Sequence, residues 1–228
     1  YLRDPLKIAM SHHGMAIKKG IHVTESFYRP EHPRISHIVN HRQTLENWSA
    51  VFGDENMDVR LYPEASGSEV LISDFLETVG IEQSQLDMSK QEVRNVNLSA
   101  VALEALNQLN AKSDRVRLLA EDRWLFHQLE KSFAGRGLSP TAEVVEVFAE
   151  RFRAEHAKIA KRWFGSTRPL FDVKFKPAAQ LTSEQASAEE LKRVAGQIDR
   201  LVSQAMLRRR VLAPVRRLKR LLTPKRSA

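Results

Sequence analysis

Tyr1-Leu2-Arg3-Asp4-Pro5-Leu6-Lys7-Ile8-Ala9-Met10-Ser11 decides how the fold is read, because it takes an apolar strand end into a helix start within a few residues. Aspartate at N-cap followed by proline at N1 is a strong helix-start signal, so Arg3 falls on the turn at the helix N-terminus and Ser11 two turns further along. A guanidinium offers a planar fork of donors to phosphate oxygens, and a serine hydroxyl adds a neutral donor. A helix start also favours an anion. The pair Arg3 and Ser11 therefore has the makings of a phosphate clamp. The plainer alternative is an ordinary strand-end arginine and a helix-surface serine.

Working outward, residues 4 to 19 form one predicted helix, closed by Gly20 at the C′ position with Lys18 and Lys19 in its last turn. Pro30 and Pro33 mark residues 21 to 35 as a loop. Ile38, Leu45, Trp48 and Phe52 give a helical period over 36–52, stopped by Gly53. His37 and His41 are spaced i, i+4, but no third ligand or adjacent glutamate accompanies them. That favours solvated or capping histidines over a metal pair. Met57, Val59 and Leu61 alternate as a strand ended by Pro63, and a helix follows from near Ser68 to Ile81. Arg94-Asn95-Val96-Asn97-Leu98-Ser99 is a turn whose serine caps the next helix, with Leu103, Leu106 and Leu109 inward.

In this order, the Arg-x7-Ser spacing, the Trp48-bearing helix, the strand element Arg60-Leu61-Tyr62 and the helix ending Phe75-Leu76…Val79-Gly80-Ile81 resemble bacterial sulfotransferases that use 3′-phosphoadenosine 5′-phosphosulfate. The resemblance covers residues 1 to about 110. Pro63 between Tyr62 and Glu64, and Thr78-Val79 before Gly80, depart from the animal cytosolic pattern and fit a divergent bacterial member. The resemblance implies an α/β fold, a P-loop-containing-NTPase-like three-layer core truncated at its N-terminus, with a mostly helical extension. It implies that Arg3 and Ser11 hold the 3′-phosphate, that Arg94 closes over it, and that the acceptor is a carbohydrate hydroxyl. Glu25, Tyr28, Arg29 and His32 would border the acceptor. The phosphosulfate loop and catalytic base are expected upstream of Tyr1. His12 and His13 would point along the helix away from the sulfuryl group, so the base is unassigned and no metal is expected.

Beyond residue 110, helices are predicted over 114–134 and 140–164. The second is capped by Ser139-Pro140 and carries Val144, Val147, Phe148, Phe152, Ile159 and Trp163 as its buried stripe. Leu170-Phe171-Asp172 and Phe175 are expected to anchor the chain, and the Ala/Ser/Gln/Thr-rich stretch 176–187 is a linker. A tail over 188–228 carries a helix near 188–212 and another restarted by Pro214. The domain plan is thus 1–110 core, 111–175 helical extension, 176–187 linker and 188–228 tail.

The net charge of +8 belongs to that tail: residues 208 to 228 hold nine Lys or Arg and no acid, leaving 27 basic against 28 acidic residues before them. Val211, Val215, Leu218 and Leu222 make an apolar line flanked by arginines, suited to an anionic membrane face through 208–222 or to an acidic partner. The body lacks a basic stripe with interleaved aromatics, which argues against nucleic acid. With no cysteine, disulfides and thiolate chemistry are excluded. A cytoplasmic setting fits, with peripheral attachment to the inner membrane as an option. The competing class of function is a noncatalytic helical module acting through its basic tail.

Overall fold

The computed structural model describes residues 1–25, 27–63, 67–86, 96–171 and 187–222, with side chains for all of these except 67–69, 85 and 212–222. Among them the helices are α1 (Pro5–Lys18), α2 (Ser36–Val39), α3 (His41–Phe52), α4 (Gly67–Thr78), α5 (Ala100–Lys112), α6 (Arg115–Leu118), α7 (Arg123–Phe133), α8 (Ala142–Phe164) and α9 (Ala188–Leu222). The chain divides into two units. The first is Tyr1–Ser11, Phe27–Asn95 and Pro140–Lys176; the second is His12–Ser26, Val96–Ser139 and Pro177–Ala228.

The expected three-layer α/β core, and with it the P-loop NTPase fold, is overturned: the described residues contain no strand and no sheet. What the alternation of Met57, Val59 and Leu61 becomes is an extended segment with one parallel bridge, Leu2 to Leu61. Leu2 N–H donates to the Arg60 carbonyl at 2.7 Å, and Tyr62 N–H donates to the Leu2 carbonyl at 2.8 Å. Past this bridge the ladder stops because Asp4 turns the first segment into a helix two residues after Leu2.

In the first unit Leu2, Leu45, Ile159, Ala160 and Leu170 form a buried cluster, against which Met57, Val59, Trp163, Phe164 and Phe171 pack. The anchor role expected of Leu170-Phe171 therefore holds, while Asp172 and Phe175 lie outside the described residues. The Tyr1 hydroxyl donates to Asp74, and Arg60 reaches both Asp74 (2.6 Å) and Asp58 (2.9 Å), tying α4 to the Leu2–Leu61 pair. The predicted helix over 36–52 is two helices, because Asn40 leaves helical geometry and caps α3 by accepting from Gln43 N–H. Leu45 faces inward, but Trp48 and Phe52 are 57% and 52% exposed and stack on each other outside the core.

The second unit is helix on helix. α9 packs against α5, α6 and α7, burying Leu106, Leu119, Leu125, Leu129, Ile198 and Val202. Ser99 caps α5 as expected, accepting from Ala102 N–H. The predicted 114–134 helix is broken into α6 and α7, with Asp122 capping the latter. In the first unit α8 starts after Thr141, whose side chain accepts from Val144 N–H, instead of at Ser139-Pro140. α9 runs through Pro214 without a restart. A proline costs a helix one hydrogen bond but keeps φ helical, and the Leu, Arg and Lys around it are strong helix formers.

Gly20 ends α1 at φ +81, where a Cβ would come within 2.2 Å of the Arg117 backbone nitrogen. Just before it Lys18 is buried, not solvated: its Nζ meets Glu130 at 2.7 Å and the Val96 carbonyl at 3.3 Å. Removing one member of a buried pair strands the other charge. Glu130→Ala is therefore expected to lower unfolding stability by about 3–5 kcal/mol in urea titration, with Glu130→Gln costing less; a loss below about 1 kcal/mol would show that the pair is not what holds α1 to α7.

Candidate functional site

The first unit's site is built where the chain enters α1. Asp4 Oδ1 accepts from the backbone N–H of Leu6 (2.8 Å) and of Lys7 (3.3 Å), fixing the helix start. Arg3, immediately before it, is held at both ends. Its carbonyl accepts from His41 Nε2–H at 2.7 Å, and its guanidinium lies 5.1 Å from the Tyr62 ring centroid. Ser11 is exposed on α1, about 9 Å along the axis from Pro5 at 1.5 Å per residue. A phosphate touching both requires Arg3 to extend along α1 and leave the Tyr62 ring. The helix start adds little, because Asp4 already occupies two of its first-turn amides and places a carboxylate there. The contribution expected from the helix dipole is thus removed by the cap that creates the helix. Arg94, the third expected phosphate ligand, lies outside the described residues.

Behind Arg3 stands a group of rings that spacing alone did not reveal. His41 and His156 stack at 5.9 Å, His156 stacks on Phe152 at 5.5 Å, and Phe171 meets His156 edge-on at 5.0 Å. Burial holds His41 below the ordinary imidazole pKa, partly opposed by its bond to the Arg3 carbonyl. Burial also holds His156 down, to about 4, with the nearby His41 adding to the effect. His156 Nε2 is buried without a hydrogen-bond partner among the described residues. His41 is therefore no metal ligand paired with His37, which is exposed on the separate helix α2. Among the described residues no group of three or more metal-ligating side chains occurs. In the sequence His41 fell inside the helix expected over 36–52, spaced i, i+4 from His37, with nothing to mark its bond to the Arg3 carbonyl. Nothing local marked His156.

The other residues expected near an acceptor divide between the units: Tyr28, Arg29 and His32 in the first, Glu25 in the second. Tyr28 is buried and stacks on His32 at 4.1 Å, and Arg29 pairs with Glu143 at 3.0 Å. His13 is buried on α1. In the second unit a cleft of 710 Å³ gathers Arg117, Arg123, Arg208 and Arg209 with Glu121 and Asp122. Arg208 lies 4.7 Å from the Trp124 ring centroid, and Arg209 donates to the Leu118 carbonyl. Val211, the first residue of the expected apolar line, is 62% exposed. The remaining side chains of that line are outside the described set. Among the described residues no helix is long and apolar enough to cross a membrane.

The histidine pair makes stability depend on pH. Both folded-state pKa values are depressed, so above the unfolded value of about 6.5 neither state is protonated and stability is at its full level. As pH falls from 6.5 toward about 4, the unfolded chain takes up protons that the native state refuses, and stability declines. Melting curves across this window are expected to show a falling midpoint, and His156→Phe to flatten part of the fall; an unchanged slope in that variant would remove His156 from the account. Against protein-family models, curated proteins and solved structures alike, the chain finds no match.

Proposed function

We propose that this chain anchors 3′-phosphoadenosine 5′-phosphosulfate by its 3′-phosphate and serves a sulfotransferase acting on a carbohydrate hydroxyl. The observation that carries the reading is the position of Arg3: backbone fixed by His41, side chain at the start of the helix that exposes Ser11. The order of short motifs from Arg3 to Ser99 supports the same assignment. In this reaction the sulfur–oxygen bond to the donor phosphate breaks, one to the acceptor hydroxyl forms, and the hydroxyl proton passes to a general base. Arg3 and Ser11 contribute binding, and Arg94 is the further candidate; none of the described residues is assigned as the base or as the phosphosulfate loop. Because Asp4 offsets the helix terminus, recognition of the phosphate rests on the guanidinium and the hydroxyl.

Calorimetric titration of 3′-phosphoadenosine 5′-phosphate into the full chain is the test. Binding in the micromolar range, about −8 kcal/mol, weakened more than tenfold by Arg3→Ala and less by Ser11→Ala, is the expected result. Absence of binding to a chain that melts cooperatively removes the sulfotransferase reading.

The arginine cleft of the second unit favours a second reading, a module that docks on an anionic surface. Four arginines and an amphipathic ring beside a helix that continues into a Lys/Arg-rich end match a phospholipid face. Co-sedimentation with phosphatidylserine vesicles should fall steeply between low and physiological salt, and Arg208→Ala with Arg209→Ala should reduce it severalfold. Equal sedimentation with neutral phosphatidylcholine vesicles counts against this reading.

A further inference from the structure

The first unit contains a cavity of 310 Å³ between α8, the start of α1 and the 167–171 loop. Its size lies at the lower end of small-ligand pockets. Its floor is apolar: Leu6, Val145, Phe148, Ala149, Leu170 and Phe171. Three cationic or titratable groups interrupt that surface, Arg153 and Arg168 at the edge and His156 in the wall. Asp4 also lines it, its charged carboxylate held through Oδ1 on the Leu6 and Lys7 amides, so an anionic head is placed at the arginines and away from it.

The loop that carries Arg168 is built, not loose. Gly165 ends α8 in the left-handed region at φ +58, Ser166 N–H returns to the Ala160 carbonyl at 3.1 Å, and Arg168 N–H donates to Ser166 Oγ at 3.0 Å. Leu170 then enters the core. The two arginines differ in what they already hold. Arg153 pairs with Glu150 at 2.9 Å across an exposed helix face, a contact of little energy. No carboxylate among the described residues pairs with the Arg168 side chain. His156 adds a ring in the wall whose buried Nε2 has no hydrogen-bond partner among the described residues.

We infer that this cavity is a binding site for a small amphipathic monoanion, an alkyl or aryl body carrying one carboxylate or sulfate-type group. The apolar body lies on Phe148, Leu170 and Phe171, and the anionic head meets Arg168 with Arg153 beside it. A fully apolar ligand leaves Arg168 as it is, and a polyanion has no counterpart for its second and third charges on this floor. Neither Arg3 nor Ser11 lines the cavity, and the inference does not rest on the sulfotransferase reading.

The experiment titrates octanoate, and its neutral partner octan-1-ol, into the full chain, followed by calorimetry and by the imidazole ¹⁵N resonances of His156. One saturable site for octanoate is expected, with octan-1-ol weaker by about tenfold, since a charge-assisted bond is lost. Arg168→Gln should abolish that preference, and Ala149→Trp, which fills the cavity, should abolish binding. Should Ala149→Trp fail to melt cooperatively, Ala157→Trp, on the exposed wall of the same cavity, replaces it. Arg3→Ala should leave octanoate affinity unchanged, which separates this site from the nucleotide clamp. No saturation up to millimolar octanoate, equal binding of octan-1-ol, or undiminished binding in a folded cavity-filling variant overturns the inference.

Discussion

The carboxylate of Asp4 on the amides of Leu6 and Lys7 is the contact on which the first unit depends. By fixing where α1 begins, it ends the extended segment at Arg3, so the pairing of Leu2 with Leu61 does not continue past that residue. It sets Arg3 on the last extended residue, with its carbonyl turned to His41 and its side chain over Tyr62. The same carboxylate cancels much of the positive end of α1. A helix terminus and an anion clamp are often treated as one device, but here the residue that makes the first works against the second, and the guanidinium has to supply the attraction.

Around that point the unit is stabilised by burying rings that are not all apolar. His41 donates its one N–H to a backbone carbonyl, which makes the buried imidazole acceptable as a neutral group. His156 sits within stacking distance of His41 and Phe152 with one nitrogen unsatisfied among the described residues. An unsatisfied buried nitrogen costs free energy unless something bonds to it. The ring that carries it stands in the wall of the cavity edged by Arg168.

The second unit relies on a different device. Lys18 and Glu130 join α1 to α7 through a buried ion pair, and Gly20 lets α1 end against the backbone of Arg117 where a side chain has no room. α9 then covers α5 and α7 with its Ile198 and Val202 face, and continues past Arg208 into the basic end of the chain. The charge asymmetry legible in composition thus falls on a helix whose first half is structural.

Some signals acting within one turn were readable from residue order, while the caps at Asn40, Asp122 and Thr141 fell where other helix boundaries were expected. Asp4-Pro5 and Gly20 gave the two ends of α1, Ser99 the start of α5, and the Val144, Phe148, Phe152 and Ile159 spacing the inner face of α8. Caps and helical periods depend on neighbours three or four residues away, which the sequence itself supplies. What the tertiary structure decided is what depends on distant partners. Met57 to Leu61 alternates like a strand, yet among the described residues it pairs only through the Leu2–Leu61 bridge, and Trp48 and Phe52 keep helical spacing with Leu45 although of the three only Leu45 reaches the core. Lys18 finds Glu130, and His41 finds the Arg3 carbonyl, across chain separations that leave no local trace. Side-chain patterns state which faces can be buried; only the packed chain determines which of them are, because burial is a property of two surfaces at once.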